Sequence, residues 1–203
     1  MATDMSGMVV LVTGGASGIG EACVERFAHA NASILVVDQN GDEAARVVDK
    51  VASLGVRAAA FAADVCDPLQ CEAAVEFAVK ELGALDLAAN VAGVAGGNDP
   101  IHETSPEDWR KVMSINLDGV FYSLRAELAH MMNHGGGAIV NMGSIYSVVG
   151  RENYPAYTTS KHGVLALTRS AAIDYAAHGI RVNVVGPAVI RTPLYEANKE
   201  RVG

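Results

Sequence analysis

The chain has 203 residues, half of them apolar, enough to bury a substantial core without disulfides or metals. A net charge of −8 with no basic cluster excludes nucleic acid or an anionic membrane surface as the expected main partner. No apolar run approaches the roughly 20 residues of a membrane span, and the first residues carry no basic n-region, so a cytoplasmic protein of one domain over 1–203 is expected.

Met8–Val12 is an apolar run that reads as a strand, followed by Thr13-Gly14-Gly15-Ala16-Ser17-Gly18-Ile19-Gly20 and a helix over about Ile19–Ala30. Strand, glycine turn and helix bring backbone N–H groups to a helix N-terminus, where a phosphate can sit. An ordinary turn between strand and helix uses similar residues, so this stretch alone leaves the ligand open. Ser33–Val37 is a short apolar run suited to a strand buried on both faces, and Asp38 follows it directly. A helix over Asp42–Leu54 presents Ala44, Val47, Val48 and Val51 on one face and stops at Gly55. Val56–Ala63 reads as the third strand, ending at Asp64-Val65.

Asp67, Pro68 and Gln70 mark the next helix start, as N-cap, first helical residue and third position, and Gly83 ends it. Leu85–Ala89 is the fourth strand, followed by Asn90-Val91-Ala92-Gly93. Ser105-Pro106-Glu107-Asp108 opens a long helical segment expected to run to about Asn133, with polar Asn116 between Ile115 and Leu117. Ala138–Met142 is the fifth strand, closing at Gly143-Ser144; a helix over about Tyr157–Ala177 and a sixth strand over Ile180–Val185 complete the series. Alternating strands and helices predict an α/β fold, a doubly wound parallel sheet in Rossmann-like order 3-2-1-4-5-6. Ligands of such sheets bind beyond the carboxyl ends of the strands, where Gly14–Gly20, Asp38, Asp64, Asn90, Ser144 and Pro187 all fall.

Two clusters suggest metal chemistry and are read otherwise. Cys23, Cys66 and Cys71 are odd in number with no zinc-type pairing, which fits reduced thiols. His130 and His134 share a helix face, yet no acidic partner stands with them, and a cationic last turn before Gly135 is expected rather than a metal site.

Asp38 stands where a carboxylate can accept hydrogen bonds from an adenosine ribose, and it would repel a 2′-phosphate. Gln39 follows, with no Arg or Lys adjacent, so NAD is expected over NADP; a cap for the next helix is the other use of Asp38. Tyr157 and Lys161 lie one helical turn apart, with Ser144 one loop upstream. A free phenol titrates near pH ~10, and a neighbouring ammonium would bring it toward working pH. Such a pair, with Ser144 holding a substrate oxygen, could exchange a proton with an alcohol or carbonyl; a core tyrosine beside a snorkelling lysine is the alternative.

From about Val9 to Leu194 these motifs resemble the short-chain dehydrogenase/reductase family. The Thr-Gly-x3-Gly-x-Gly turn is that family's own glycine pattern, and Asn90-Val91-Ala92-Gly93 is similar to its Asn-Ala-Ala-Gly motif with Val91 in place of alanine. Asn116, Ser144, Tyr157 and Lys161 match its catalytic tetrad in order and spacing, and Pro187–Thr192 resembles its Pro-Gly-x-Ile-x-Thr segment with Ala188 in place of glycine. The resemblance implies Tyr157 as acid/base and Lys161 on the nicotinamide ribose. It implies Ser144 positioning the substrate and Asn116 holding a water in a proton relay. Gly14, Ser17, Gly18, Ile19, Gly20, Asp38, Asp64, Val65, Asn90, Gly93, Pro187, Ile190 and Thr192 would line the cofactor, with Asp64 and Val65 near adenine, Asn90 near the adjoining ribose, and Ile190 and Thr192 at the carboxamide.

The expected function is NAD-dependent hydride transfer between a secondary alcohol or ketone and the nicotinamide. Apolar Val94, Val148, Val149 and Val189 point to a cyclic alcohol, steroid or acyl chain as substrate. A 3-oxoacyl-carrier-protein-reductase-like enzyme, or a cofactor-binding but catalytically impaired form with a regulatory or dimerisation role, are the alternatives. Family members continue through a substrate-covering segment, a seventh strand and a tail. Here the covering segment begins at about Tyr195 and the sequence ends at Gly203, so a shortened form with strand six as an exposed edge is expected, which intact-mass measurement tests. In the resembled family the long helices corresponding to Ser105–Asn133 and Tyr157–Ala177 pair across a two-fold axis, so the resemblance implies a homodimer, and a tetramer if that further part exists.

Overall fold

The computed structural model describes residues 4–202, with side chains described as far as Lys199. The elements run β1 (Val9–Thr13), α1 (Gly18–Ala28), β2 (Ser33–Asp38), α2 (Gly41–Ala52), β3 (Ala58–Ala62), α3 (Pro68–Leu82), β4 (Leu87–Asn90) and α4 (Pro106–Met113). After a π-helical stretch, Ser114–Asp118, come α5 (Gly119–Met131), β5 (Gly137–Met142), α6 (Pro155–Tyr175), β6 (Ile180–Val185) and α7 (Pro193–Val202). All six strands are parallel, in the order β3-β2-β1-β4-β5-β6, as expected from the alternation of strands and helices. Among the described residues β6 is an edge of that sheet, with Arg181, Asn183 and Val185 exposed.

The central strands β1 and β2 are almost wholly apolar because both faces are covered. Side chains alternate across a strand, so Val9, Leu11, Leu35 and Val37 pack under α3, α5 and α6, against Ala78, Leu124 and Val164. Val10, Val12, Ile34 and Val36 face the other way, onto Val24 of α1 and Val47 and Val51 of α2. At roughly 25 cal/mol per Å² of buried apolar surface, these two layers supply the main stabilisation of the sheet.

Helix starts follow the capping chemistry. Asp67 accepts the Leu69 N–H at 2.9 Å, Ser105 accepts that of Asp108 at 3.0 Å, and each helix has proline in its first turn. Gln70 departs from the capping box: its Oε1 accepts from the Asp64 N–H at 2.9 Å and its Nε2 donates to Asp67, tying the helix to the end of β3.

The long helical segment expected from Ser105 runs to Met131, with a π-helical turn at Ser114–Asp118 where the side chain of Asn116 turns inward. Three expectations are corrected. β3 and β4 are shorter than read, because pairing with β2 covers only Ala58–Ala62 and pairing with β1 only Leu87–Asn90. His130 and His134 stack with ring centroids 3.9 Å apart, and burial first, then the His134 charge, lowers the pKa of His130. That environment disfavours the expected cation there. Val148 and Val149 are exposed in the loop after β5 and do not line the site.

Candidate active site

The carboxyl ends of β1, β2, β4, β5 and β6 open into a cavity of about 360 Å³. Of the residues expected at the site, Gly14, Ser17, Gly18, Ile19, Gly20, Asp38, Asp64, Val65, Gly93, Ser144, Tyr157, Lys161, Pro187, Ile190 and Thr192 all line it. Asn90 and Asn116 do not.

The floor at one end is the turn between β1 and α1. Gly14 has φ +65°, and a Cβ there would lie 2.7 Å from the Ala92 Cα. A Cβ on Gly20 would run into the carbonyl of Gly14. Gly14 needs glycine because the turn meets the loop after β4 backbone to backbone, and Gly20 because the turn folds back onto its own Gly14 carbonyl. Thr13 ties the same junction, its Oγ1 accepting from the Val91 N–H at 3.2 Å. Ser17, the N-cap of α1, makes no side-chain cap and lines the cavity.

Asp38 ends β2 and does not cap α2; Asn40 does, accepting the Glu43 N–H at 3.2 Å. The Asp38 carboxylate accepts from the Ala16 N–H at 3.2 Å and the Asn40 N–H at 3.0 Å. One cation missed along the sequence approaches in space: Arg46 of α2 donates to the Ala16 carbonyl at 3.2 Å. Its guanidinium is engaged by both Glu21 oxygens at 3.1 Å and by Glu43 at 2.7 Å.

At the other end, Ser144 closes β5 and caps a short 3-10 turn, Ile145–Ser147, accepting from the Tyr146 N–H at 3.2 Å. This fixes its hydroxyl beside Tyr157 at the start of α6. Lys161, one turn on, is 3 % exposed; its ammonium donates to the Met142 carbonyl at 2.7 Å and lies 5.6 Å from the centroid of the Tyr157 ring. Burial pushes Lys161 down to about 8. It also holds the Tyr157 phenol above its ordinary value, against a downward pull from the Ser144 hydroxyl. The lowering expected from Lys161 is therefore not what the protein alone supplies.

Asn116 is fully buried and acts from behind the site. Its Oδ1 accepts the Val94 N–H at 2.8 Å, and its Nδ2 donates to the Val94 carbonyl at 2.9 Å and to Ser160 at 3.3 Å. The side-chain amide is thus a clamp on the segment beside Gly93. The Asn90 side chain also lies outside the cavity lining. It is 1 % exposed, points into the core, and donates to Glu127 and to Asn141, each at 3.0 Å. Its place is beneath the cavity, joining β4, α5 and β5.

Reading along the sequence missed Tyr146, Arg151, Tyr154 and Tyr195, all of which line the cavity. Three tyrosines within twelve positions, ending at Tyr157, were the available signal. Among the described residues no group of three or more His, Cys, Asp or Glu is placed to hold a metal, and no helix is long and apolar enough to cross a membrane.

A glycine turn opening a helix, a carboxylate at the end of β2 and a Ser-Tyr-Lys constellation on one parallel sheet define a dinucleotide-binding α/β protein. Residues 8–203 match the short chain dehydrogenase family, and the chain belongs to it. It is 44% identical over 194 residues to cyclohexanol dehydrogenase of Acinetobacter sp. (strain SE19), covering 96% of this chain and 77% of that protein. The crystal structure of levodione reductase superposes with a TM-score of 0.94 at 35% identity, covering 97% of this chain and 77% of that one. Carveol dehydrogenase from Mycobacterium avium in complex with NAD gives 0.88 at 31% identity, covering 91% and 72%. The chain is accordingly a hydride-transfer oxidoreductase that uses a nicotinamide cofactor.

The residues present fit such a cofactor. Gly14, Gly18 and Gly20 line the cavity with bare backbone at the start of α1, and the buried ammonium of Lys161 lines the same cavity.

Proposed function

We propose that the protein is an NAD-dependent dehydrogenase of secondary ring alcohols and their ketones, with Tyr157 as general acid/base. The observation that carries this reading is the juxtaposition of Ser144, Tyr157 and Lys161 in one cavity with the glycine turn and Asp38. When bound, the nicotinamide supplies the hydride acceptor or donor and, oxidised, a positive charge.

The chain's own residues do the rest. The N–H groups at the start of α1 face the pyrophosphate, with Ser17 beside them. Asp38 accepts from the adenosine ribose hydroxyls and repels a 2′-phosphate, while Glu21 and Glu43 keep Arg46 engaged; both support NAD. Asp64 and Val65 flank the adenine, and Pro187, Ile190 and Thr192 flank the carboxamide. Lys161 holds the nicotinamide ribose. Ser144 Oγ holds the substrate oxygen, and Tyr157 Oη takes the carbinol proton in oxidation and returns it in reduction. Val94 and Val189 give the substrate end apolar walls. The ring-alcohol class is supported by the relative that acts on cyclohexanol.

The outer faces of α5 and α6 leave Phe121 47% and Ile173 79% exposed, which supports a homodimer built through those helices. The activity is tested by NAD-linked oxidation of cyclohexanol beside acyclic secondary alcohols. Turnover on cyclohexanol with NAD supports the reading, and bound NAD with no turnover on any of the panel refutes it.

A further inference from the structure

Behind the part of the main cavity's wall formed by Ala63 and Val65 lies a second cavity, of about 10 Å³. The same two residues line both. The polar residues on the wall of the smaller one are Thr13 at the end of β1, Cys71 of α3, and Ser123 and Glu127 of α5. All four are buried.

The hydrogen bonds around this cavity are incomplete on two sides. Glu127 is 1 % exposed; its Oε2 accepts from the Asn90 amide at 3.0 Å, and its Oε1 has no hydrogen-bond partner among the described residues. A carboxyl oxygen so deep in a core is costly to leave unpaired. Thr13 Oγ1 accepts from the Val91 N–H at 3.2 Å and the Ala92 N–H at 3.5 Å, and a hydroxyl that accepts in this way still has a proton to donate. The Cys71 thiol is directed to the Val65 carbonyl at 3.5 Å, with the Ser123 hydroxyl 3.8 Å from its sulfur.

Size and chemistry together bound the occupant. A space of about 10 Å³ is that of one water-sized sphere, too small for any organic ligand. A buried water takes roughly 2–4 polar partners, and the carboxyl of Glu127 with the hydroxyls of Thr13 and Ser123 offers that number. Water also donates to a carboxylate and accepts from a carboxylic acid, so it pairs with Glu127 in either state.

We propose that this cavity is a binding site for one internal water molecule, which bridges Glu127 Oε1 to Thr13 Oγ1 with Ser123 Oγ as its third partner. The water closes a ring of hydrogen bonds. Glu127 Oε2 holds Asn90 at the end of β4, Val91 next in the chain donates to Thr13, and the water returns from Thr13 to Glu127. The ring joins β1, β4 and α5 at the residues that lead into Gly14 and Val91, both part of the main cavity's lining. It stands on the cavity and its polar wall, independently of the proposed dehydrogenase activity.

Two measurements test the bridge. A crystal structure of the unmodified protein, at a resolution that shows ordered water, should carry a solvent peak within ~2.6–3.2 Å of both Glu127 Oε1 and Thr13 Oγ1. A cavity without that peak, or a peak in reach of Glu127 but not of Thr13, overturns the proposal. The second measurement is a double-mutant cycle on the unfolding equilibrium. Thr13→Val should cost the unmodified protein at least about fivefold more than it costs Glu127→Leu, where the bridge is already broken. An equal cost in the two backgrounds overturns the proposal, and the crystallographic test needs no variant to fold.

Discussion

The ammonium of Lys161 lies 5.6 Å from the centroid of the Tyr157 ring and is held there by a 2.7 Å hydrogen bond to the Met142 carbonyl. A cation this deeply buried, with its pKa pushed down to about 8, is costly to keep. Because the folded-state value lies below that of the unfolded chain, the cost is present below pH 8 and is relieved as pH rises toward 10.5. Lys161→Met should therefore stabilise the ligand-free protein at pH 7 by up to about 3 kcal/mol, less ~1 kcal/mol for the lost hydrogen bond. Melting temperatures across pH 7–10 check this, and the advantage should shrink over that range.

Glu127 presents the mirror case. It is fully buried, its Oε2 accepts from the Asn90 side-chain amide, and burial pushes it up to about 7, while among the described residues its Oε1 has no hydrogen-bond partner. A raised folded-state value means its contribution is whole below the ordinary carboxylate range and is lost as pH rises through about 7. Glu127→Gln should remove that dependence and be the more stable protein at pH 8, by on the order of 3 kcal/mol at most. Denaturant unfolding of both proteins at pH 4.5, 6 and 8 measures it.

Cofactor choice rests on Asp38. Asp38→Asn keeps a hydrogen-bond acceptor for the Ala16 N–H but removes the charge that opposes a 2′-phosphate. The ratio of NADPH to NADH dissociation constants should fall at least about tenfold. Fluorescence titration of the two cofactors reads it directly, and an unchanged ratio removes Asp38 from this role.

Gly20→Ala drives a methyl group into the Gly14 carbonyl, so the turn must shift. A loss of about 1–3 kcal/mol in stability is expected, together with weakened NADH binding. Gly55→Ala is the control: its φ of +82° is strained for alanine, yet nothing lies within 4 Å of the added carbon. It should lose some stability and leave NADH binding intact.

The sheet order and most of the cavity lining were legible in the sequence because the strands stand out as largely apolar runs, Asp38, Asp64 and Ser144 follow strand ends, and Tyr157 and Lys161 lie one helical turn apart. That rule says where a residue sits and not which way its side chain points. Asn90 shows the gap: it follows the pattern, yet its amide turns down to Glu127 and Asn141. Asn116 was found by its place in a motif, but its clamp on Val94 depends on the π-helical turn, which no helical periodicity reveals. Arg46 and Arg151 escaped for a related reason. Each reaches its partners through folding, Arg46 from the next helix and Arg151 from an irregular loop.

The most direct test is the oxidation of cyclohexanol with NAD by Tyr157→Phe, read beside NADH binding measured by fluorescence. Removing the proton-transfer hydroxyl while keeping the ring should lower kcat roughly 10²–10⁴-fold, with NADH affinity changed by less than about threefold. A Phe variant that keeps more than about a tenth of the original turnover, with its fold and NADH binding intact, would show that Tyr157 Oη does not move the proton.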